Sequence, residues 1–242
     1  MVLCHKCGDS GLIVHDDFVE QCSCYTRRAK TSNIIASQIP PKFQGITFKS
    51  FNLGFYSNSY LDPNRHKSLR DIAASTLQAA RNFVQNNLAD NTAEGLLLNG
   101  PVGSGKTFLA CCIANELLTG GKKVLFTVVP DLLDQIKATY GSNRSNAITE
   151  SDLLDTAREV PILILDDLGA HNYTDWTRNK IFTIINYRLN YQLPTIITTN
   201  INLEDLEEHL GERTTSRILQ MCKPYRLLVD VDIRVQLARA GK

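Results

Sequence analysis

Gly100-Pro101-Val102-Gly103-Ser104-Gly105-Lys106-Thr107 is a glycine-spaced turn between the apolar run Leu96-Leu97-Leu98 and a helical stretch from Lys106 to Leu118. The spacing G-x-x-x-x-G-K-[ST] is that of a phosphate-binding loop. Glycines reach backbone angles closed to other residues, so successive N–H groups can turn inward around an anion. The helix behind the loop points its positive end at the same place. Lys106 then reaches the β- and γ-phosphates of a triphosphate, and the Thr107 hydroxyl ligates magnesium. Nucleotide contacts are expected along Gly100, Pro101, Val102, Gly103, Ser104, Gly105, Lys106 and Thr107, with Phe108 beside them. The implied cofactors are ATP or ADP and Mg2+.

Strands and helices alternate outward from this loop. Val124 to Val129, Ile162 to Leu165 and Thr195 to Thr199 read as strands, and Arg226 to Val231 supplies a fifth. Helices are expected from Pro130-Asp131 onward, over Thr174 to Leu189, and at Leu203 to Leu210 and Thr214 to Met221. Upstream, Leu69, Ile72, Ala73, Thr76, Leu77, Ala80, Phe83 and Val84 recur at the 3-4 spacing of an amphipathic helix over Arg65 to Asn86. Strands that are apolar throughout and separated by helices form a parallel sheet covered on both faces. The fold is α/β, with a five-stranded P-loop sheet.

The strand Ile162-Leu163-Ile164-Leu165 ends in Asp166-Asp167. Ligands of such sheets sit at the carboxyl ends of the strands. Asp166 is expected to hold the magnesium with Thr107, and Asp167 to position or polarise the attacking water. Asn200, at the tip of the Thr195–Thr199 strand, can hydrogen-bond the γ-phosphate or that water. Further on, Arg217 is the candidate for an arginine that a neighbouring subunit's γ-phosphate recruits, with Arg213 second. Arg234 is a candidate second sensor within the same chain.

The cysteines cluster at the other end. Cys4-x-x-Cys7 and Cys22-x-Cys24 make two chelating pairs that can close a tetrahedral zinc site. A disulfide pair or free thiols are the alternatives. A segment of ~25 residues has no core of its own, so metal would supply its folding energy. Ile13-Val14 and Phe18-Val19 suit a hairpin between the knuckles; His5 and His15 are bystanders. Cys111, Cys112 and Cys222 lie in apolar surroundings and read as small buried residues. The chain thus divides into a zinc module at 1–30, ending in the basic Arg27-Arg28-Ala29-Lys30, a linker at 31–64 and an ATPase domain at 65–242. The linker aromatics Phe43, Phe48, Phe51, Phe55, Tyr56 and Tyr60 are too frequent for a free tether and should lie against the core.

Composition narrows the class further. A net charge of +1 over 242 residues gives no global field for nucleic acid, so any such contact must be a local patch or need several subunits. No apolar run reaches the ~18 residues of a membrane span. The N-terminus lacks the layout of a secretory signal, which makes the cytoplasm the expected location.

Taken together these residues resemble the AAA+ ATPases of the bacterial helicase-loader group, the DnaC/DnaI and IstB-like family. The resemblance rests on Gly100–Thr107, Leu163–Gly169, Pro194–Asn200, and Leu210-Gly211-Glu212-Arg213 with Ser216-Arg217. The leader Ile39-Pro40-Pro41-Lys42-Phe43 is similar as well. It implies an ATPase that binds a hexameric replicative helicase, delivers it onto single-stranded DNA, self-associates through ATP-bridged interfaces and uses ATP to time release. The tail after Arg234 leaves little room for the helical lid of larger members. An IstB-like transposition helper and an ATP-gated adaptor without hydrolysis are the competing functions.

Overall fold

The computed structural model describes residues 4–8, 10–15, 18–22, 24, 38–62, 67–89, 94–141, 148–169 and 173–241. In chain order the elements are a hairpin of β1 (Leu12–Val14) and β2 (Val19–Gln21), α1 (Leu69–Ala89), β3 (Gly95–Asn99), α2 (Lys106–Thr119), β4 (Val124–Val128), α3 (Val129–Ala138) and α4 (Glu150–Glu159). There follow β5 (Ile162–Leu168), α5 (Asp175–Asn190), β6 (Thr195–Thr199), α6 (Leu206–Leu210), α7 (Glu212–Met221), β7 (Cys222–Arg226) and α8 (Ile233–Ala240). The five strands β3 to β7 form one parallel sheet in the order β4-β5-β6-β3-β7. The phosphate-loop strand β3 and the acid strand β5 are therefore not neighbours: β6 stands between them and brings its own tip to the same edge.

Side chains alternate between the two sheet faces, as pleating requires. Leu96, Leu98, Phe126, Ile162, Ile164 and Ile196 pack with α1 and α2. Leu97, Leu125, Leu163, Leu165 and Ile197 pack with α3 to α7. Every apolar position expected on α1 is buried, with Asn87 in addition. Cys111, Cys112 and Cys222 are fully buried.

Three readings of the sequence change. The fifth strand is Cys222–Arg226, not Arg226–Val231. Its Pro224 cannot donate to a ladder and is tolerated because β7 is the sheet's edge. The apolar Leu227 lies just beyond, fully buried, and donates its N–H to the Asn99 carbonyl at 2.8 Å. Helix α4 was not expected; Thr149 and Asp152 start it with a reciprocal capping box. The tail also forms a helix, α8, none of whose residues is buried.

The linker lies on the core. Phe48, Phe51 and Tyr56 are buried, and Phe43 and Phe55 pack partly buried against the same cluster. Tyr60 departs from the expectation and is exposed. Asn115 on α2 ties the segment down by donating to the Phe43 and Ile46 carbonyls. Residues 31–37, 63 and 64 of the linker, and the basic Arg27–Lys30, lie outside the described residues.

One fully buried side chain organises the opposite end of the sheet. Arg188 on α5 donates to the Ala157, Val160 and Pro194 carbonyls at 3.1, 2.8 and 2.6 Å, and to Thr195 Oγ1 at 2.8 Å. It joins the end of α4 to the entrances of β5 and β6. Burial pushes its pKa down to about 9.

Candidate nucleotide and metal sites

The phosphate loop connects β3 to α2, and its geometry depends on glycine. Gly103 has φ +73°, and a Cβ there would lie 2.0 Å from the Asp232 carboxyl carbon. At Gly100 a Cβ would meet the Leu227 carbonyl oxygen at 1.9 Å. Lys106 is buried and donates to the Gly100 and Pro101 carbonyls at 2.8 Å each. Burial lowers its pKa to about 8, against the opposing pull of Asp167 and Asp166. A buried ammonium held by two carbonyls gains most from an anion bound close to it.

Asp166 sits directly behind Thr107. Thr107 Oγ1 lies 3.0 Å from both carboxylate oxygens, and Thr198 Oγ1 donates to one of them at 2.7 Å. Burial raises the Asp166 pKa, and the two hydroxyl bonds oppose the rise. A β-bulge between Leu165 and Leu168 turns the acids toward the strand tip. Asp167 takes φ +59°, held by its N–H donating to Thr198 Oγ1 at 2.9 Å. Asn200 donates to the Asp167 carboxylate at 2.8 Å. Thr107, Asp166, Asp167 and Asn200 are thus one connected set. Thr198, which bonds both acids, was missed because a β-branched residue inside a strand reads as packing.

These groups surround a cavity of about 550 Å3 lined by Gly103 to Phe108, Asp167, Thr198, Asn200 and Arg234, and closed by Phe43, Phe51, Phe55 and Tyr56. Phe108 packs edge-on against Phe43 at 5.9 Å. Tyr56 donates its hydroxyl to the Ser104 carbonyl at 2.8 Å, so the linker braces the loop. Arg234 stands at the mouth, its guanidinium on the Asp232 carboxylate at 3.2 and 3.1 Å. The Ile233 N–H donates to the Gly103 carbonyl, which fastens α8 to the loop.

Arg217 is not in this cavity. It lines a second hollow of about 690 Å3 with Glu94, Gly95 and Pro194, at the amino ends of the strands. The two edges lie on the order of 15 Å apart, five strand residues at ~3.3 Å each. Arg213 is exposed at the start of α7.

The four N-terminal cysteines converge, with every Sγ within 4.8 Å of the others. Cys4 to Cys22 is 3.8 Å and Cys7 to Cys24 is 3.3 Å, far beyond the ~2.05 Å of a disulfide. A tetrahedron of ~2.3 Å zinc–thiolate bonds has edges of about 3.8 Å, so the donor set fits zinc. The Gly8 N–H donates to the Cys4 carbonyl, closing the first knuckle, and β1 pairs β2 antiparallel with Val14 opposite Val19. Neither histidine joins the cluster; His15 stacks on Phe18 at 4.4 Å.

A third feature was not read from the sequence. Trp176 donates to the Tyr140 hydroxyl at 3.0 Å, and the Lys137 and Lys180 ammonium groups lie 5.5 and 5.6 Å from its ring centre. Tyr140 is exposed, and Lys180 pairs with Glu150.

Residues 62–223 match the family model described as IstB-like ATP binding protein. The chain belongs to that family. Replicative helicase loader DnaI of Bacillus subtilis (strain 168) is 31% identical over 163 residues, covering 62% of this chain and 51% of the relative. Replicative helicase loader DnaC of Escherichia coli (strain K12) is 32% identical over 144 residues, covering 60% and 57%. The chain spans little more than half the length of these curated relatives. Among solved structures, the crystal structure of the DnaC helicase loader superposes with a TM-score of 0.62 at 27% identity, covering 79% of this chain and 100% of that one. AMPPCP-bound DnaA from Aquifex aeolicus, at 18% identity and a TM-score of 0.60, shares the fold. An ATP-binding family thus meets a site whose geometry suits a triphosphate. No described helix is long and apolar enough to cross a membrane.

Proposed function

We propose that this chain is a cytoplasmic ATPase that loads a hexameric replicative helicase onto single-stranded DNA. The observation that carries hydrolysis is the hydrogen-bonded set Thr107–Asp166–Thr198–Asp167–Asn200 at the mouth of the phosphate loop. Binding alone needs the loop; it does not need a second acid pre-oriented by an amide. Lys106 neutralises the β- and γ-phosphates, and Asn200 fixes the carboxylate of Asp167 so that it can accept a proton from an attacking water. Magnesium, held by Thr107 and Asp166, supplies charge neutralisation at the phosphates when bound. Arg217, remote from its own cavity, serves the nucleotide of a neighbouring subunit.

The loading role is supported by similarity to chains named replicative helicase loaders, and by the Trp176–Tyr140 platform with its two lysines. Aromatic faces beside ammonium groups suit stacked bases and a phosphate backbone. The zinc module is assigned to partner docking. ATP hydrolysis should rise when single-stranded DNA and a replicative helicase are added, and the helicase should co-purify with the chain. A rate indifferent to both would overturn the loader reading. Asp167→Asn should keep ATP binding and lose turnover; unchanged turnover would remove Asp167 from the mechanism, and an unmutated chain that binds ATP without turning it over would be an adaptor. Binding of a transposase in place of helicase would favour the transposition helper.

A further inference from the structure

Arg217 does not swing freely at its edge of the sheet. Its Nε donates to Asn186 Oδ1 at 2.7 Å, and one terminal nitrogen, Nη1, donates to the Arg213 carbonyl at 3.3 Å. The guanidinium carbon lies 4.9 Å from the centre of the Phe182 ring. Phe182 and Asn186 are four residues apart on α5 and share one face of it. The other terminal nitrogen, Nη2, makes no hydrogen bond among the described residues. The side chain is thus gripped on one flank and beneath, and presents its far corner outward. Arginine carries large rotamer entropy, and a planar fork that is already oriented loses less of it on meeting a phosphate.

The same helix begins near the acids. Thr174 caps α5 shortly after β5 ends, and the Tyr173 hydroxyl accepts from the Gly169 N–H at 2.8 Å. One rigid element therefore runs from the chain's own catalytic edge to the bracket around Arg217.

We propose that Asn186 and Phe182 are positioning residues that hold Arg217 in the orientation a second copy of this chain needs at its γ-phosphate. The inference rests on the proposed action of Arg217 in trans. An arginine of this kind supplies ~10³-fold or more in rate, so a loosened one loses a substantial part of it.

The test is a mixing experiment on the full chain. Asn186→Ala alone should hydrolyse ATP roughly 10-fold more slowly or worse, with unchanged affinity for a fluorescent ATP analogue. Adding Lys106→Ala, which cannot use nucleotide but retains a properly held arginine, should restore turnover at the Asn186→Ala phosphate loops. Phe182→Leu should behave the same way and covers the case in which Asn186→Ala fails to fold. A merely structural defect would not be rescued by a partner chain. Full activity in both variants overturns the proposal, as does loss without rescue while Arg217→Ala is rescued. If Arg217→Ala itself is never rescued by Lys106→Ala, the trans reading has failed and this inference goes with it. Absence of magnesium-dependent ATP hydrolysis in the unmutated chain would instead signal failure of the ATPase reading.

Discussion

Thr198 is the residue on which the two acids depend. Its hydroxyl donates to Asp166 and accepts the N–H of Asp167, so Thr198→Val removes one donor from a buried carboxylate and orphans an amide held at positive φ. Each loss costs ~1–3 kcal/mol. Magnesium-dependent hydrolysis should fall roughly 10- to 100-fold, by analogy with groups that orient metal ligands; an unchanged rate would show that the acids are held by other means. Lys106 offers a test that needs no substitution. Its pKa in the fold, about 8, lies below the ordinary 10.5, so the unfolded chain binds more protons between those values and stability rises with pH across that window. A triphosphate restores the charged form, and binding near pH 8 to 9 should take up a proton. Calorimetry in buffers of different ionisation heat reads this directly, and heats independent of the buffer would contradict it. The loop, both acids and Asn200 were legible because each obeys a spacing rule. Thr198 and Asp232 were not, and Tyr56 was legible as a packing residue but not as the donor to Ser104, because their partners are distant in sequence and only the folded sheet edge brings them together.

At the scale of elements, apolar periodicity carried the reading as far as periodicity goes. It located the buried face of α1 to the residue and β3, β4 and β6 within one position, while β5 runs three residues past the apolar stretch through its two acids, and β7 reads Cys-Lys-Pro-Tyr-Arg and hides from any apolar pattern. Arg188 was equally invisible, since an arginine near a helix C-terminus ordinarily reads as solvated and paired with the dipole. Its carbonyl partners belong to other segments, so Arg188→Met should strand several buried acceptors at once. A loss of ~3 kcal/mol or more is expected, seen as a melting temperature lower by roughly 10 °C; a shift within a degree would mean that water replaces the guanidinium. The cysteine hairpin follows different physics. Phe18 and Val19 are exposed and the hairpin's strands are three residues long, so a metal on the four cysteines would supply what a core does not. One zinc per chain should be released by a strong chelator or by Cys7→Ser, with the α/β domain still melting at its original temperature. Loss of both transitions together would show that the module is integral to the core.

At the scale of the whole molecule, the chain carries two unlike working edges. The nucleotide cavity opens at the carboxyl ends of the strands, and the Arg217 hollow at the amino ends. An arginine from one edge that serves the cavity at the other makes a head-to-tail contact, and such contacts close only into rings or continue as open helices; they do not stop at a two-fold dimer. The net charge of +1 leaves little long-range repulsion to prevent stacking. On the proposed action of Arg217 in trans, ATP at the junction would be the cement, sitting in one chain and touched by the next. Sedimentation velocity should therefore show species larger than a dimer when ATP and magnesium are added, growing with protein concentration. Lys106→Ala should stay small under the same conditions, and Arg217→Ala should assemble weakly while still binding nucleotide. A dimer of fixed size, the same with and without ATP, would require a symmetric interface that uses neither edge, and the shared-site mechanism could not operate.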